Sequence, residues 1–198
     1  MLFLAASWSV LIGVAWSVGA AILGRLERHV VFDRVGDRFL AAVWLGVIVL
    51  ANAWLATSFM VPLTPLAGAG VGAAIAIGAA ASGHLRPEAR ALRATLSIKL
   101  GMALGALTFG IAAFATLPIT YYDTGVLHAG VTKWLAQYGA VVGIGLLHEA
   151  FAQYPAWLAL PAPFDTGLVD GRVGALAGGL AWLLVVLHLA LCAWRGLQ

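Results

Sequence analysis

The sequence predicts an all-α polytopic membrane protein: a bundle of about five transmembrane helices with a structured external loop that contains short interfacial helices. Three observations predict this fold. Of the 198 residues, 63% are hydrophobic and only 10% are charged, whereas a soluble domain carries about 25% charged residues. Five segments approach the ~20 apolar residues that a helix needs to cross a bilayer. Basic residues cluster in alternate connections between these segments, as the positive-inside rule requires.

The five apolar segments cover residues 2–24, 39–60, 63–82, 96–119 and 174–194. The first is followed, not preceded, by arginines, so we interpret it as a retained anchor and not as a cleaved signal peptide. The third consists almost entirely of Gly and Ala ("AGAGVGAAIAIGAAAS"). We expect it to be packed among other helices, because small side chains permit close approach, although a low-complexity apolar stretch is the alternative.

The chain therefore divides into four transmembrane helices in 1–119, an external interfacial loop in 120–173, and a fifth helix with a cytoplasmic end in 174–198. Nine of the eleven basic residues follow the first, third or fifth apolar segment: Arg25, Arg28, Arg34, Arg38, Arg86, Arg90, Arg93, Lys99 and Arg195. These connections should be cytoplasmic. The N-terminus and the 120–173 loop are then outside, and the C-terminus is inside.

Polar residues inside the apolar segments admit structural explanations. Asn52 is expected to form a hydrogen bond between helices. His188 is expected to bond to a neighbouring helix, with a proton relay as the alternative. Hydroxyl groups in the segments should bond back to their own helix; these are Ser17, Thr57, Ser58 and Thr108. The basic stretch 84–99 fits anionic membrane lipid as a partner. No nucleic-acid partner is expected, because no soluble segment combines basic residues with a stacking platform.

The 120–173 loop is too long to be a simple connection and too aromatic to be disordered. Residues 126–138 predict a short surface helix, and 139–147 a dip into the membrane edge or a buried turn. Asp123 or Thr124 is expected to cap the short helix. The set Asp123, His128, His148 and Glu149 leaves a divalent metal open as a cofactor, but no tight ligand spacing supports one. His128 and His148 are otherwise interfacial histidines, and Lys133 otherwise reaches lipid phosphate.

The same polar residues also fit catalysis at the membrane surface. An enzyme that uses a lipid-linked sugar needs a base at headgroup depth and cations that hold the phosphate. Asp123 is placed for the first task, just beyond the fourth apolar segment. Lys133 or Arg172 is placed for the second.

The stretch "YDTGVLHAGVTKWLAQYGAVVGIGLLHEAF" (residues 122–151) resembles the signature of a bacterial family of multi-pass membrane proteins that is similar to the GT-C glycosyltransferase superfamily. The runs "VWLGVIVLAN" and "VPLTPL" resemble its preceding helices. The resemblance implies polyprenyl-phosphate sugars as donors and the bacterial inner membrane as location. Because members of this kind are longer, the chain is expected to be an N-terminal piece, a shortened homologue or one part of a split assembly.

Carried over by position, the resemblance implies a site in which Asp123 is the base or a metal ligand. The catalytic candidates are Asp123, His128, His148 and Glu149, and the substrate-binding candidates are Tyr122, Lys133 and Arg172. Leu127 and Ala150 depart from the family pattern, which has an aromatic and a basic residue there. Because five helices enclose little space, the rival hypotheses are a non-catalytic membrane subunit or scaffold, partnered by a further membrane subunit, and, third, a small-solute transporter.

Overall fold

The computed structural model describes residues 1–26, 32–117, 127–146, 149, 155–167 and 173–196. These residues form helices and turns, with no strand among them. The predicted all-α fold is therefore confirmed. In chain order the helices are α1 Leu2–Leu26, α2 Val35–Ser58, α3 Pro65–Ala81, α4 Leu85–Thr95, α5 Ile98–Ala115, α6 Ala129–Gln137, α7 Ala156–Ala159 and α8 Gly174–Gly196, with short 3₁₀ turns at Ile144–Leu146 and Ala162–Phe164.

Four of these helices, α1, α2, α5 and α8, are long and apolar enough to cross a membrane. The third predicted segment forms α3, which has 17 residues and lies at the lower limit of a spanning helix. The chain then bends by 93° into α4. With four to five candidate spans, the molecule is a membrane protein, as the composition predicts.

Helices α1 and α2 are antiparallel and make the closest contact in the bundle. A Cβ atom added to Gly19 would lie 1.8 Å from the carbonyl oxygen of Ala42, and one added to Gly46 would lie 1.8 Å from that of Ala15. Each helix thus contributes one Ala and one Gly four residues apart, and each Gly faces the Ala of the other helix. Such small-residue pairs let two backbones touch, which maximises dispersion contacts where lipid removes the hydrophobic driving force.

Trp8 fixes α8 against α1. Its side chain is completely buried, and its Nε1 donates a hydrogen bond of 2.8 Å to the carbonyl oxygen of Leu176. Gly179 makes room for the indole, because a Cβ there would lie 2.3 Å from the Trp8 ring. The buried core around this contact consists of leucines and valines from three helices: Leu4, Leu11, Val43, Val47, Leu50, Leu180 and Leu184.

The Gly/Ala-rich helix α3 packs on one side only. Gly68, Gly72 and Ala79 are buried, and the rest of the helix is partly or fully exposed. The expectation that α3 packs against other helices is confirmed for this one face, which meets α1, α2 and the cap, whereas the remaining surface of α3 is exposed. Small side chains allow close approach on any face, so composition could not tell how many faces would be covered.

Hydroxyl groups in the helices bond to their own backbone, as expected. Ser17 donates to Val14, Thr57 to Ala53, Ser58 to Leu55 and Thr108 to Leu104, each over 2.6–2.8 Å.

Two other polar residues differ from expectation. Asn52 is exposed and donates to Ile48 of its own helix, not to another helix. His188 is also exposed, and its Nε2 lies 3.7 Å from the sulfur of Cys192 one turn along the same helix. A side-chain amide or imidazole that faces outward can form its polar contact within its own helix. The linear sequence does not show whether the partner lies in the same helix or in a second one.

The bundle has two chemically different ends. The basic end contains the C-terminus of α1, the N-terminus of α2, α4 and the C-terminus of α8. Here Arg38 forms an ion pair with Glu88, and Arg195 forms one with Asp37, so that α2 is tied to both α4 and α8. The opposite end is covered by residues 127–146 and 155–167, which we call the cap.

Candidate functional site in the cap

The cap is attached to the ends of α2 and α3 by backbone hydrogen bonds and aromatic contacts. Leu63 N donates to the carbonyl oxygen of Leu135 over 2.8 Å, and Ala140 N donates to that of Ser58 over 2.7 Å. Trp54 donates to the carbonyl oxygen of Gly68 over 3.1 Å and meets the ring of Phe164 edge to face at 6.2 Å. The cap is therefore built into the bundle.

Helix α6 is the central element of the cap, and its two faces differ. Val131, Thr132, Leu135 and Ala136 are buried, at the i, i+1, i+4 and i+5 spacing of one helix face. The predicted short helix at 126–138 is thus confirmed, with its start at Ala129. Lys133 lies on the opposite, exposed face.

Gly139 ends α6 in a conformation that positions the following chain. Its φ of +76° lies in the left-handed region, where glycine commonly terminates helices. A Cβ atom at this position would also lie 2.4 Å from the carbonyl oxygen of Ser58. Glycine is therefore required here for two reasons, the positive φ and the close contact with Ser58. The turn orients α6 relative to α2.

A pocket of about 320 Å³ lies beside α6, and we call it the α6 pocket. Its lining comes from α6, from the residue after the 3₁₀ turn at Ala162–Phe164, and from the start of α8. These residues are Ala129, Gly130, Thr132, Lys133, Asp165, Val173 and Gly174. Its volume lies in the range of roughly 300–1,000 Å³ that is typical of small-molecule sites.

The α6 pocket combines charges of both signs. Lys133 is exposed and Asp165 is half-buried, and no ion pair joins them among the contacts of the described chain. Gly174, the first residue of α8, also lines the pocket. The N-terminus of a helix carries partial positive charge, although the amide of Leu176 in this first turn already donates to the carbonyl oxygen of Val173 over 2.9 Å. An ammonium group and a helix N-terminus together favour an anion such as phosphate.

The structure describes three of the seven predicted site residues. Lys133 lines the α6 pocket. His128 is exposed, stands directly before α6, and makes no capping bond with its side chain. Glu149 is exposed. Neither of these two lines the α6 pocket.

The other four predicted site residues, Tyr122, Asp123, His148 and Arg172, lie outside the described residues, as does the expected cap at Asp123 or Thr124. Within the described ranges, no group of three His, Cys, Asp or Glu residues could hold a metal ion. The divalent metal therefore stays a sequence-based possibility.

Asp165 is the residue of the pocket that the sequence-based candidates omit. A signal for it exists: Phe164-Asp165-Thr166-Gly167 repeats the aromatic-Asp-Thr-Gly pattern of residues 122–125. In the later copy, Asp165 N donates to the carbonyl oxygen of Ala162 over 3.0 Å, and Gly167 has a φ of +75°. In this later copy, the pattern forms a tight turn at Asp165.

A family model described as a domain of unknown function, DUF8201, matches residues 1–196. The chain belongs to this family. Because the match spans both the bundle and the cap, the α6 pocket is a feature within the DUF8201 domain itself. No curated protein and no solved structure matches the chain.

Proposed function

We propose that this protein binds a lipid-linked sugar phosphate in the α6 pocket and acts as a GT-C-like glycosyltransferase in the synthesis of envelope polysaccharide or glycolipid. The observation that carries the proposal is the α6 pocket, which brings Lys133, Asp165 and the N-terminus of α8 together where the membrane helices end. A lipid-linked sugar presents its phosphate at this depth, with its polyprenyl chain among the lipids and its sugar in water.

The roles follow from the chemistry of each group. Lys133 and the first turn of α8 hold the phosphate, because both offer positive charge and hydrogen-bond donors. A carboxylate beside the phosphate accepts the proton of the acceptor hydroxyl group. Asp165 lines the pocket and is one candidate for this base; Asp123 is the other, on the strength of the resemblance to GT-C enzymes.

We also propose a bacterial inner-membrane location with the N-terminus and the cap outside and the C-terminus inside. The distribution of charge supports this orientation. Among the described residues, Lys133 is the one basic residue of the cap, whereas the basic end holds Arg25, Arg34, Arg38, Arg86, Arg90, Arg93, Lys99 and Arg195. Basic residues are retained on the cytoplasmic side during insertion.

Binding of polyprenyl phosphate to the purified protein tests the proposal. The melting temperature in detergent is measured with increasing polyprenyl phosphate, and with polyprenol as a ligand that lacks the phosphate. We expect polyprenyl phosphate, but not polyprenol, to raise the melting temperature. Lys133→Gln should weaken the apparent binding of polyprenyl phosphate at least tenfold, because charged hydrogen bonds contribute about 1.5–3 kcal/mol. Lys99→Gln, which changes the chain's other lysine at the basic end, should bind like the wild type. Equal responses to polyprenol and polyprenyl phosphate would contradict the proposal.

Catalysis is tested separately from binding. In the native host, cells with Asp123→Asn or Asp165→Asn in place of the wild-type gene are compared for their glycolipids and surface polysaccharide by mass spectrometry. We expect one of the two variants to lose product while it still binds polyprenyl phosphate. Asp33→Asn, an exposed aspartate at the basic end, is the matched control. Unchanged product in both active-site variants would remove the enzymatic role.

A non-catalytic membrane subunit is the second candidate, and one observation favours it. Helix α5 buries only Ala112, and nothing lies within 4 Å of the Cβ positions of Gly101 and Gly105. This four-residue spacing of glycines commonly serves contacts between membrane helices. The second candidate predicts that Gly101→Leu abolishes co-purification of a membrane partner, whereas the aspartate variants leave it intact.

A further inference from the structure

Helix α4 is a separate feature of the basic end that the proposed function does not use. It follows a 93° bend after α3 and contains no buried residue, although in the chain it lies between two helices of the bundle, α3 and α5. Its contact with the bundle at α2 includes the ion pair of Glu88 with Arg38, in which Nε donates to Oε1 over 2.6 Å. Because α3 packs against α1, which is long and apolar enough to cross the membrane, a helix bent by 93° from α3 fits a position along the membrane plane.

The side chains of α4 separate into two adjacent stripes. Arg86, Arg90 and Arg93 follow the i, i+4, i+7 spacing of one stripe, and Leu85, Ala89 and Leu92 follow the same spacing on the next. Beyond the helix, Leu96 and Ile98 continue the apolar surface and are 50% and 84% exposed. Leu85 and Leu92 are partly buried, and Leu85 packs against α1 and α2, so the apolar side chains that stay exposed are Ala89, Leu96 and Ile98. Exposed apolar residues beside exposed arginines are the pattern of a segment that rests in the interface between lipid headgroups and acyl chains.

The charge of the arginine stripe is not balanced within the described chain. All three arginines are exposed, and no ion pair between described residues involves them. Glu88, the acidic residue of α4, is already engaged by Arg38. Three guanidinium groups within about 10 Å, by the 1.5 Å rise per residue, therefore face the headgroup layer without a protein counter-charge.

We propose that α4 is an interfacial helix whose Arg86, Arg90 and Arg93 bind the headgroup phosphates of anionic phospholipid. The occupant is argued from charge complementarity: guanidinium forks match phosphate oxygens, and the exposed Leu96 and Ile98 match the acyl chains below them. Zwitterionic lipid offers the same phosphate with a compensating amine, so net negative charge decides the preference. This inference is independent of the α6 pocket, which lies at the other end of the bundle.

Lipid titration followed by native mass spectrometry tests the inference on the full chain. The detergent-solubilised protein is titrated with phosphatidylglycerol and, separately, with phosphatidylcholine of the same acyl chains. Each basic residue near an anionic surface contributes roughly a factor of five to affinity. We expect the wild type to prefer phosphatidylglycerol at least tenfold, and the triple variant Arg86→Gln, Arg90→Gln, Arg93→Gln to lose that preference.

The matched control replaces the same three arginines by lysine, which keeps the charge, and it should retain most of the preference. The melting temperature of both triple variants shows whether the fold is intact. If the glutamine variant is folded and still prefers phosphatidylglycerol, or if the wild type has no preference, the inference is overturned.

The depth of α4 gives a second, affinity-independent test. In a Cys192→Ser background, a nitroxide label is attached at Ala89→Cys on the apolar stripe or at Ala94→Cys away from it. In vesicles that contain phosphatidylglycerol, oxygen should relax the label at 89 more strongly, and a water-soluble nickel chelate should relax the label at 94 more strongly. Equal exposure of both positions to the nickel chelate would show that α4 stands away from the membrane.

Discussion

At the scale of single residues, glycines set how closely the helices of this bundle approach. The contacts of Gly19 and Gly46 are with backbone atoms, which cannot rotate away as a side chain can. Lipid removes most of the hydrophobic force between helices, so such close contacts contribute much of the packing energy that remains. Trp8 and Trp54 donate their indole N–H groups, which would otherwise be left without a partner in an apolar surrounding, to carbonyl oxygens of α8 and α3.

A pair of alanine substitutions on α1 measures this contact. Gly19→Ala should destabilise the protein by about 1–3 kcal/mol, because the added methyl group overlaps the backbone at Ala42 and must push α1 and α2 apart. Gly13→Ala on the same helix meets nothing within 4 Å and should be neutral or slightly stabilising. Unfolding in mixed micelles by increasing SDS checks both, and equal effects of the two substitutions would refute the close α1–α2 contact.

At the scale of elements, the turn after α6 decides where the cap sits on the bundle. Gly139 and Gly143 both have positive φ, at +76° and +84°, but only Gly139 lies against another backbone. The hydrogen bond from Ala140 N to the carbonyl oxygen of Ser58 follows directly after this contact. Gly139 therefore contributes to the orientation of α6, and with it to the position of Lys133, together with the buried face of α6.

The two glycines separate backbone strain from close contact. Gly143→Ala should cost only the penalty of a left-handed alanine, about 1–2 kcal/mol. Gly139→Ala should lose about the same 1–2 kcal/mol of stability and should also displace α6 from Ser58. We expect both variants to melt at lower temperature, but only Gly139→Ala to weaken polyprenyl phosphate binding severalfold. Weaker binding in both variants would mean that general destabilisation, and not the position of α6, controls the pocket.

At the scale of the whole molecule, the bundle separates two chemistries along its length. The cap end offers one described lysine and a carboxylate around a pocket, and the basic end offers a set of arginines. A helix the length of α2, 24 residues, extends about 36 Å and so keeps the ends on opposite surfaces of a bilayer. Catalysis on a lipid-linked donor and attachment to anionic lipid would then occur on different sides.

Cysteine labelling tests which end of the bundle faces the outside of the cell. Single cysteines at Gln137→Cys in the cap and at Ala94→Cys in α4, each in the Cys192→Ser background, are exposed positions at opposite ends. In intact cells a membrane-impermeant maleimide should label position 137, and it should label position 94 only after the membrane is opened. The reverse pattern would invert the proposed orientation, and labelling of both positions in intact cells would contradict a bundle that spans the membrane.

Hydropathy, helix length and the spacing of basic residues determined the all-α membrane fold and the order of its helices, because a backbone in lipid must satisfy its hydrogen bonds within each segment. The surface helix of the cap was also predicted from sequence. Lys133 was singled out from sequence too and lines the α6 pocket, and its role in binding stays a prediction. Each of these features depends on the residues of one segment, so it can be predicted from the sequence of that segment.

Only the tertiary structure decided which segments meet. It joined Lys133 with Asp165, which are 32 positions apart, and it placed α3 at the edge of the bundle and not within it. It also turned Asn52 toward its own helix and bent α4 away from α3. Each outcome depends on how the faces of different helices fit against one another, and apolar faces of Gly, Ala and Leu are too alike in sequence to specify their neighbours.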